Sequence, residues 1–187
     1  MSRVITVHDP VDRFTTGTVG VPGERAFFLQ VRSARGLSSM LVEKSQVQAL
    51  AERLRILLRE LRVDGLASID ELTLSHIRDS ATLDFPIEED FRIGIIGISW
   101  DETIQRVVID IQAESPQGVE DLLDDDEAEL LEDAPELVRS YIRIHQARTF
   151  IDRARGVVNA GREPCPFCGL PINVDGHLCP RENGYRR

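Results

Sequence analysis

Three stretches of the first half of this chain reappear, in the same order, in the second half. Phe14-Thr-Thr-Gly17-Thr-Val-Gly20-Val21 matches Phe91-Arg-Ile-Gly94-Ile-Ile-Gly97-Ile98, and both read Phe-x-x-Gly-x-x-Gly-aliphatic. Residues 27–31 align with residues 107–111, and residues 46–53 with residues 146–153. Three ordered matches predict an internal duplication, with each half running strand, strand, strand, helix. Glycine weakens a strand interior and marks a bulge or a close backbone approach. The paired glycines therefore predict the same strand bend in both halves. Neither glycine pair opens a helix, which argues against a phosphate-cradling loop.

Hydrophobic periodicity fills in the elements. Residues 14–21 alternate and end at the turn signal Pro22-Gly23. Ala26–Ser33 reads as a strand, Arg35-Gly36 as a turn, and residues 38–43 as a third strand. Ser45 is the expected N-cap of a helix. In that helix Val47, Leu50, Leu54, Leu57, Leu58 and Leu61 recur at three- and four-residue spacing, so one face is buried. Residues 64–90 read as an acidic connector with a short element near 71–77. Residues 91–100 and 104–113 form a second strand pair around the turn at Asp101. Residues 138–144 are ambiguous alone, but the repeat assigns them as a third strand. Ala147, Phe150, Ile151, Ala154 and Val158 carry helical spacing to residue 158.

The expected fold is α+β. Two β-β-β-α units (residues 1–63 and 91–158) share an antiparallel sheet system. The connector spans 64–90, an acidic insertion spans 114–136, and a zinc-binding tail spans 159–187.

The net charge is −10, yet it belongs to one segment. Between Glu120 and Glu136 lie ten acidic residues and no basic one; the remaining acids balance the bases. Lys44 is the only lysine. No run approaches the roughly 20 apolar residues that span a bilayer, and the N-terminus lacks the apolar run of a signal peptide. Three cysteines, all between 165 and 179, suit a metal site in a reducing compartment better than a disulfide framework. A cytoplasmic protein is expected.

The chemistry concentrates in the tail. Cys165-x2-Cys168-Gly169 lets one tight turn present two sulfurs to a single ion, and the glycine lets backbone amides point at sulfur. His177-x-Cys179 closes the set after the turn at Asp175-Gly176. Three thiolates and one imidazole form the closed four-coordinate set of structural Zn2+, which leaves no position for a reactive water. Free thiols and a redox Cys-x-x-Cys are the alternatives. The redox reading is disfavoured because the motif does not open a helix after a strand. Arg181, Tyr185, Arg186 and Arg187 could touch nucleic acid, but no basic stripe supports them and the acidic segment opposes phosphate. His8, His76 and His145 stand isolated in the sequence, and no nucleophile–base motif occurs. The run Asp124-Asp-Asp-Glu127 reads as a solvated face, not as a magnesium site.

Several phrases resemble a known family. These are the opening Phe-x-x-Gly-x-x-Gly, Glu89-Asp-Phe-Arg-Ile-Gly with Trp100-Asp, Gln146-Ala-Arg-x-Phe150, and the ending Pro-Cys165-Pro-x-Cys168-Gly…Gly-His177-x-Cys179-Pro-Arg-x-Asn-Gly. They look like the actinobacterial ParJ-like family of unknown function. The resemblance implies an actinobacterial cytoplasmic protein and a chromosome-partitioning ATPase of the ParA type as partner. It implies no catalytic residue. The leading expectation is a non-enzymatic adaptor or regulator that binds a protein partner, with the acidic segment offered to a basic surface. The alternatives are an enzyme or small-ligand binder with its site between the halves, and a nucleic-acid-binding zinc ribbon.

Overall fold

The computed structural model describes residues 4–21, 23–73, 75–115, 135–160, 165–168, 172 and 178–181. The strands are β1 (Ile5–His8), β2 (Val11–Val19), β3 (Ala26–Ser33), β4 (Gly36–Val42), β5 (Phe91–Asp101), β6 (Arg106–Ala113) and β7 (Leu137–Ile142). The helices are α1 (Lys44–Val63), α2 (Ile69–Thr73) and α3 (Ile144–Asn159). All seven strands form one sheet in the order β1-β7-β6-β5-β4-β3-β2.

The sheet is mixed, which corrects the expectation of an antiparallel system. Within each half the pairing is antiparallel; β2–β3, β3–β4 and β5–β6 are joined by short connections, whereas β6 and β7 are joined across the acidic insertion. Between halves it is parallel: β4 meets β5, and β1 meets β7. Parallel neighbours need a long crossover. Here α1 and the connector supply it between β4 and β5. The two outermost strands, β1 and β2, are consecutive in the chain and separated only by Asp9-Pro10. Counted as one bent strand they give every strand two neighbours, so the sheet curls until its ends meet.

Inward residues alternate along the strands, as a two-residue period requires. Leu29 and Val31 on β3, Val107, Ile109 and Ile111 on β6, and Val138 and Ile142 on β7 are buried. They join Val47, Leu50 and Leu54 of α1 and Ala147, Phe150 and Ala154 of α3 in a single core cluster. Phe14 and Phe150 meet at 4.8 Å between ring centroids.

Both long helices start on the same device. α1 begins at Lys44 with Glu43 as N-cap, so Ser45 is not the cap. Gln46 Oε1 accepts the Glu43 amide (2.9 Å), and Gln146 Oε1 accepts the Arg143 amide (2.8 Å). Each glutamine then spans to the opposite half. Gln46 Nε2 donates to the Ile93 carbonyl of β5 at 3.1 Å, and Gln146 Nε2 donates to the Val11 carbonyl of β2 at 2.7 Å. Both carbonyls sit where the strand register slips, between Ile93 and Ile95 and between Val11 and Arg13.

The Phe-x-x-Gly-x-x-Gly match, by contrast, is out of register. Phe14 pairs with Val31. Ile111, the counterpart of Val31 in the alignment, pairs with Ile96, not with Phe91. The glycines have separate causes too. A Cβ on Gly17 would lie 2.7 Å from Leu83 Cγ of the connector, whereas one on Gly94 would lie 2.9 Å from the Glu114 Cα. The two glycines therefore mark separate close approaches, while the irregularity common to both first strands is the register slip at Val11/Arg13 and Ile93/Ile95.

Candidate metal centre and neighbouring polar sites

Cys165, Cys168 and Cys179 come together although fourteen residues separate the first from the last. Their Sγ atoms lie within 4.8 Å of one another, and those of Cys165 and Cys179 are 3.8 Å apart. That separation is far beyond an S–S bond of about 2.05 Å, so the three thiols are free. Cys165 and Cys179 are buried and Cys168 is half-buried. Burial works to raise the Cys165 thiol, but the Cys168 and Phe167 amides donate to its sulfur, and the net effect holds it below its ordinary value. A thiol so placed is prepared to bind as thiolate. Arg181 Nη1 donates to the Phe167 carbonyl at 3.0 Å and braces the turn between the first two cysteines. Three converging sulfurs can hold one metal ion. His177, the expected fourth ligand, and the acidic residues 120–134 lie outside the described residues.

With that geometry, one comparison is decisive: the family model described as "Protein of unknown function (DUF3090)" matches residues 6–179. The chain belongs to the DUF3090 family. The match runs from β1 through the third clustered cysteine, so the sheet and the sulfur cluster both fall within the family region. No curated protein and no solved structure matches the chain.

The histidines of this DUF3090 chain are less isolated than their sequence positions suggest. His8 is buried on β1, with Nδ1 2.8 Å from Ser33 Oγ and Nε2 2.9 Å from Ser38 Oγ. It therefore fastens the edge strand β1 to the β3–β4 hairpin. Burial pushes its pKa down; nearby Asp90 opposes the shift and Arg35 adds to it. A neutral imidazole offers one donor and one acceptor, and the two hydroxyls answer both. His76 pairs with Asp152 of α3 at 2.7 Å. His145 lies in the first turn of α3, where burial depresses its pKa, and its Nδ1 is buried without a hydrogen-bond partner.

The connector is tied down by Arg13 of β2. Arg13 Nε and Nη2 clamp Asp79 at 3.0 and 2.9 Å, and Nη1 reaches Asp84 at 3.1 Å. The Thr82 and Ala81 carbonyls accept the remaining donors. Burial alone would raise Asp79, but hydrogen bonds from Arg13 and Thr15 outweigh it and hold the carboxyl below its ordinary value. Arg13 thus spends all five guanidinium donors on one strap.

Beside this strap lies a cleft of about 570 Å³. Its walls are the start of β2, connector residues 75–81, and the first turns of α3 with Arg143, His145 and Thr149. Sequence reasoning missed the His8 clasp, the Arg13 clamp and this cleft, because their members are dozens of residues apart and no local spacing announces them. Among the described residues, no helix is long and apolar enough to cross a membrane.

Proposed function

We propose that this DUF3090 chain is a non-enzymatic adaptor or regulator, with its C-terminal segment stapled by one structural zinc ion on Cys165, Cys168, His177 and Cys179. The observation that carries the zinc reading is the sulfur geometry. A tetrahedral ion with Zn–S bonds of about 2.3 Å places its sulfurs about 3.8 Å apart. The Cys165–Cys179 separation is 3.8 Å. Three thiolates and an imidazole complete the shell, so the ion serves as a staple and leaves no position for a reacting water.

The polar groups elsewhere support a binding role over a catalytic one. His8 is enclosed with both ring nitrogens engaged by serine hydroxyls. Arg13, Asp79 and Asp84 are committed to holding the connector. The two halves are read as an internal duplication, supported by the matched roles of Gln46 and Gln146. The surface offered to a partner is the acidic segment 120–136, whose charge suits a basic protein face. A ParA-type ATPase in the cytoplasm is the partner that the resemblance implies.

The test is affinity capture from native cells with wild type and with a variant whose acids at 120–133 are changed to amides. A basic partner should be held by wild type, released by moderate salt, and lost from the variant. A partner set that is the same for both proteins removes the acidic segment from the account.

A further inference from the structure

The cleft between β2, the connector and α3 carries charges that the fold itself does not use. Arg78 on the connector and Arg143 at the start of α3 both line it. Both are exposed, and neither forms an ion pair with a described residue. Arg13 and Asp79 also border the cleft but neutralise each other at 2.9 Å. Asp12 is the one remaining acid in its wall. Among the described residues of this wall, two cations without an ion pair therefore stand against one such acid, within a chain whose net charge is −10.

Two more features point the same way. α3 carries no acidic residue in its first turn, so no carboxylate of its own offsets the positive end of its dipole. A volume of about 570 Å³ also falls within the size of small-molecule sites, about 300–1,000 Å³.

We propose that this cleft binds a small anionic ligand, whose phosphate or carboxylate group is gripped by Arg78 and Arg143 beside the start of α3. Guanidinium forks engage both groups through paired N–H···O bonds. This site goes beyond the adaptor reading and does not depend on the metal centre. A ligand here would also join the connector, β2 and α3, which come from different parts of the chain.

The experiment uses the full chain and two probes, inorganic phosphate and citrate, each titrated against sodium chloride at matched ionic strength. Amide chemical shifts and the thermal midpoint are followed together. In wild type, one probe or both should shift resonances of residues 75–81 and 143–149 in a saturable way and raise the midpoint. The stronger probe identifies the group as phosphate or carboxylate. Arg143→Gln and Arg78→Gln should each weaken binding at least about tenfold, the loss expected when a charge-assisted hydrogen bond is removed. Arg62→Gln, which removes the same charge at the end of α1, should bind like wild type. Because Arg143 caps α3, the Arg78 variant keeps the test decisive if the Arg143 variant folds poorly. Shifts no greater than those in chloride, or equal weakening in Arg62→Gln, overturn the proposal.

Discussion

At the scale of single residues, His8 ties β1 to the β3–β4 hairpin. It sits on a four-residue edge strand and reaches two serines on the neighbouring hairpin. Its depressed pKa has a consequence for stability. Between the folded value and the ordinary value of about 6.5, the unfolded chain binds more protons than the folded one. The contribution of His8 is therefore complete above about pH 6.5 and is lost as pH falls through the folded value. His8→Gln should cost about 1–2 kcal/mol at neutral pH, since it disturbs two buried hydrogen bonds. It should also flatten the acid limb of stability. Urea midpoints measured from pH 7.5 to 5 should fall more steeply for wild type than for His8→Gln. His145 is depressed in the same direction by burial, so both proteins are compared again in a His145→Gln background. Parallel curves for the two proteins refute this role for His8.

At the scale of elements, the two helix starts explain both what was legible and what was not. Ala26–Ser33 and the buried faces of α1 and α3 follow from apolar periodicity, and the structure has these elements. The third strand of the second half, ambiguous by pattern alone, is β7, as alignment with the first half predicts. The cap of α1 was misread because serine is the stronger N-cap by type. The pairing of Glu43 with Gln46 at the third helical position overrides that preference. β1 was not legible, since four residues before Asp9-Pro10 give too short a pattern, and their partner strand lies at Leu137–Ile142. The cysteine cluster was legible because its first two cysteines are set by local spacing; the cleft was not, because three distant segments build it. Gln46 and Gln146 give the element-scale prediction. Replacing either by Ala should lower stability by about 1–2 kcal/mol, combining a cap loss with a lost bond to a strand carbonyl. Gln46→Glu separates the two contributions. It keeps the acceptor for the Glu43 amide but turns a carboxylate towards the Ile93 carbonyl. Its urea midpoint should therefore fall by at least as much as that of Gln46→Ala. A midpoint equal to wild type would show that the contact between halves contributes nothing.

At the scale of the molecule, the question is whether the sulfur cluster belongs to the fold or hangs from it. Both halves contribute to one apolar cluster through inward residues of β2 to β7, α1 and α3. Their unfolding is therefore expected to be one cooperative event. Cys165 and Cys179 are as buried as many core residues, yet they belong to neither core cluster. The proposed zinc ion is expected to order this segment, contributing on the order of 10 kcal/mol. That free energy should act locally. We expect one zinc per chain by metal analysis, and three thiols that react with a thiol reagent only after chelation. Trp100, which packs against both core clusters, reports on the sheet and helices. Its fluorescence should give the same urea midpoint in the metal-bound protein, in the chelated protein and in Cys168→Ser, to within about 0.5 kcal/mol. Amide resonances of residues 165–181 should meanwhile collapse towards unfolded positions. A native protein without metal and with three freely titrating thiols would defeat the zinc assignment. Zinc bound as expected, but with the Trp100 transition lowered by several kcal/mol on chelation, would instead place the cysteine segment within the cooperative core.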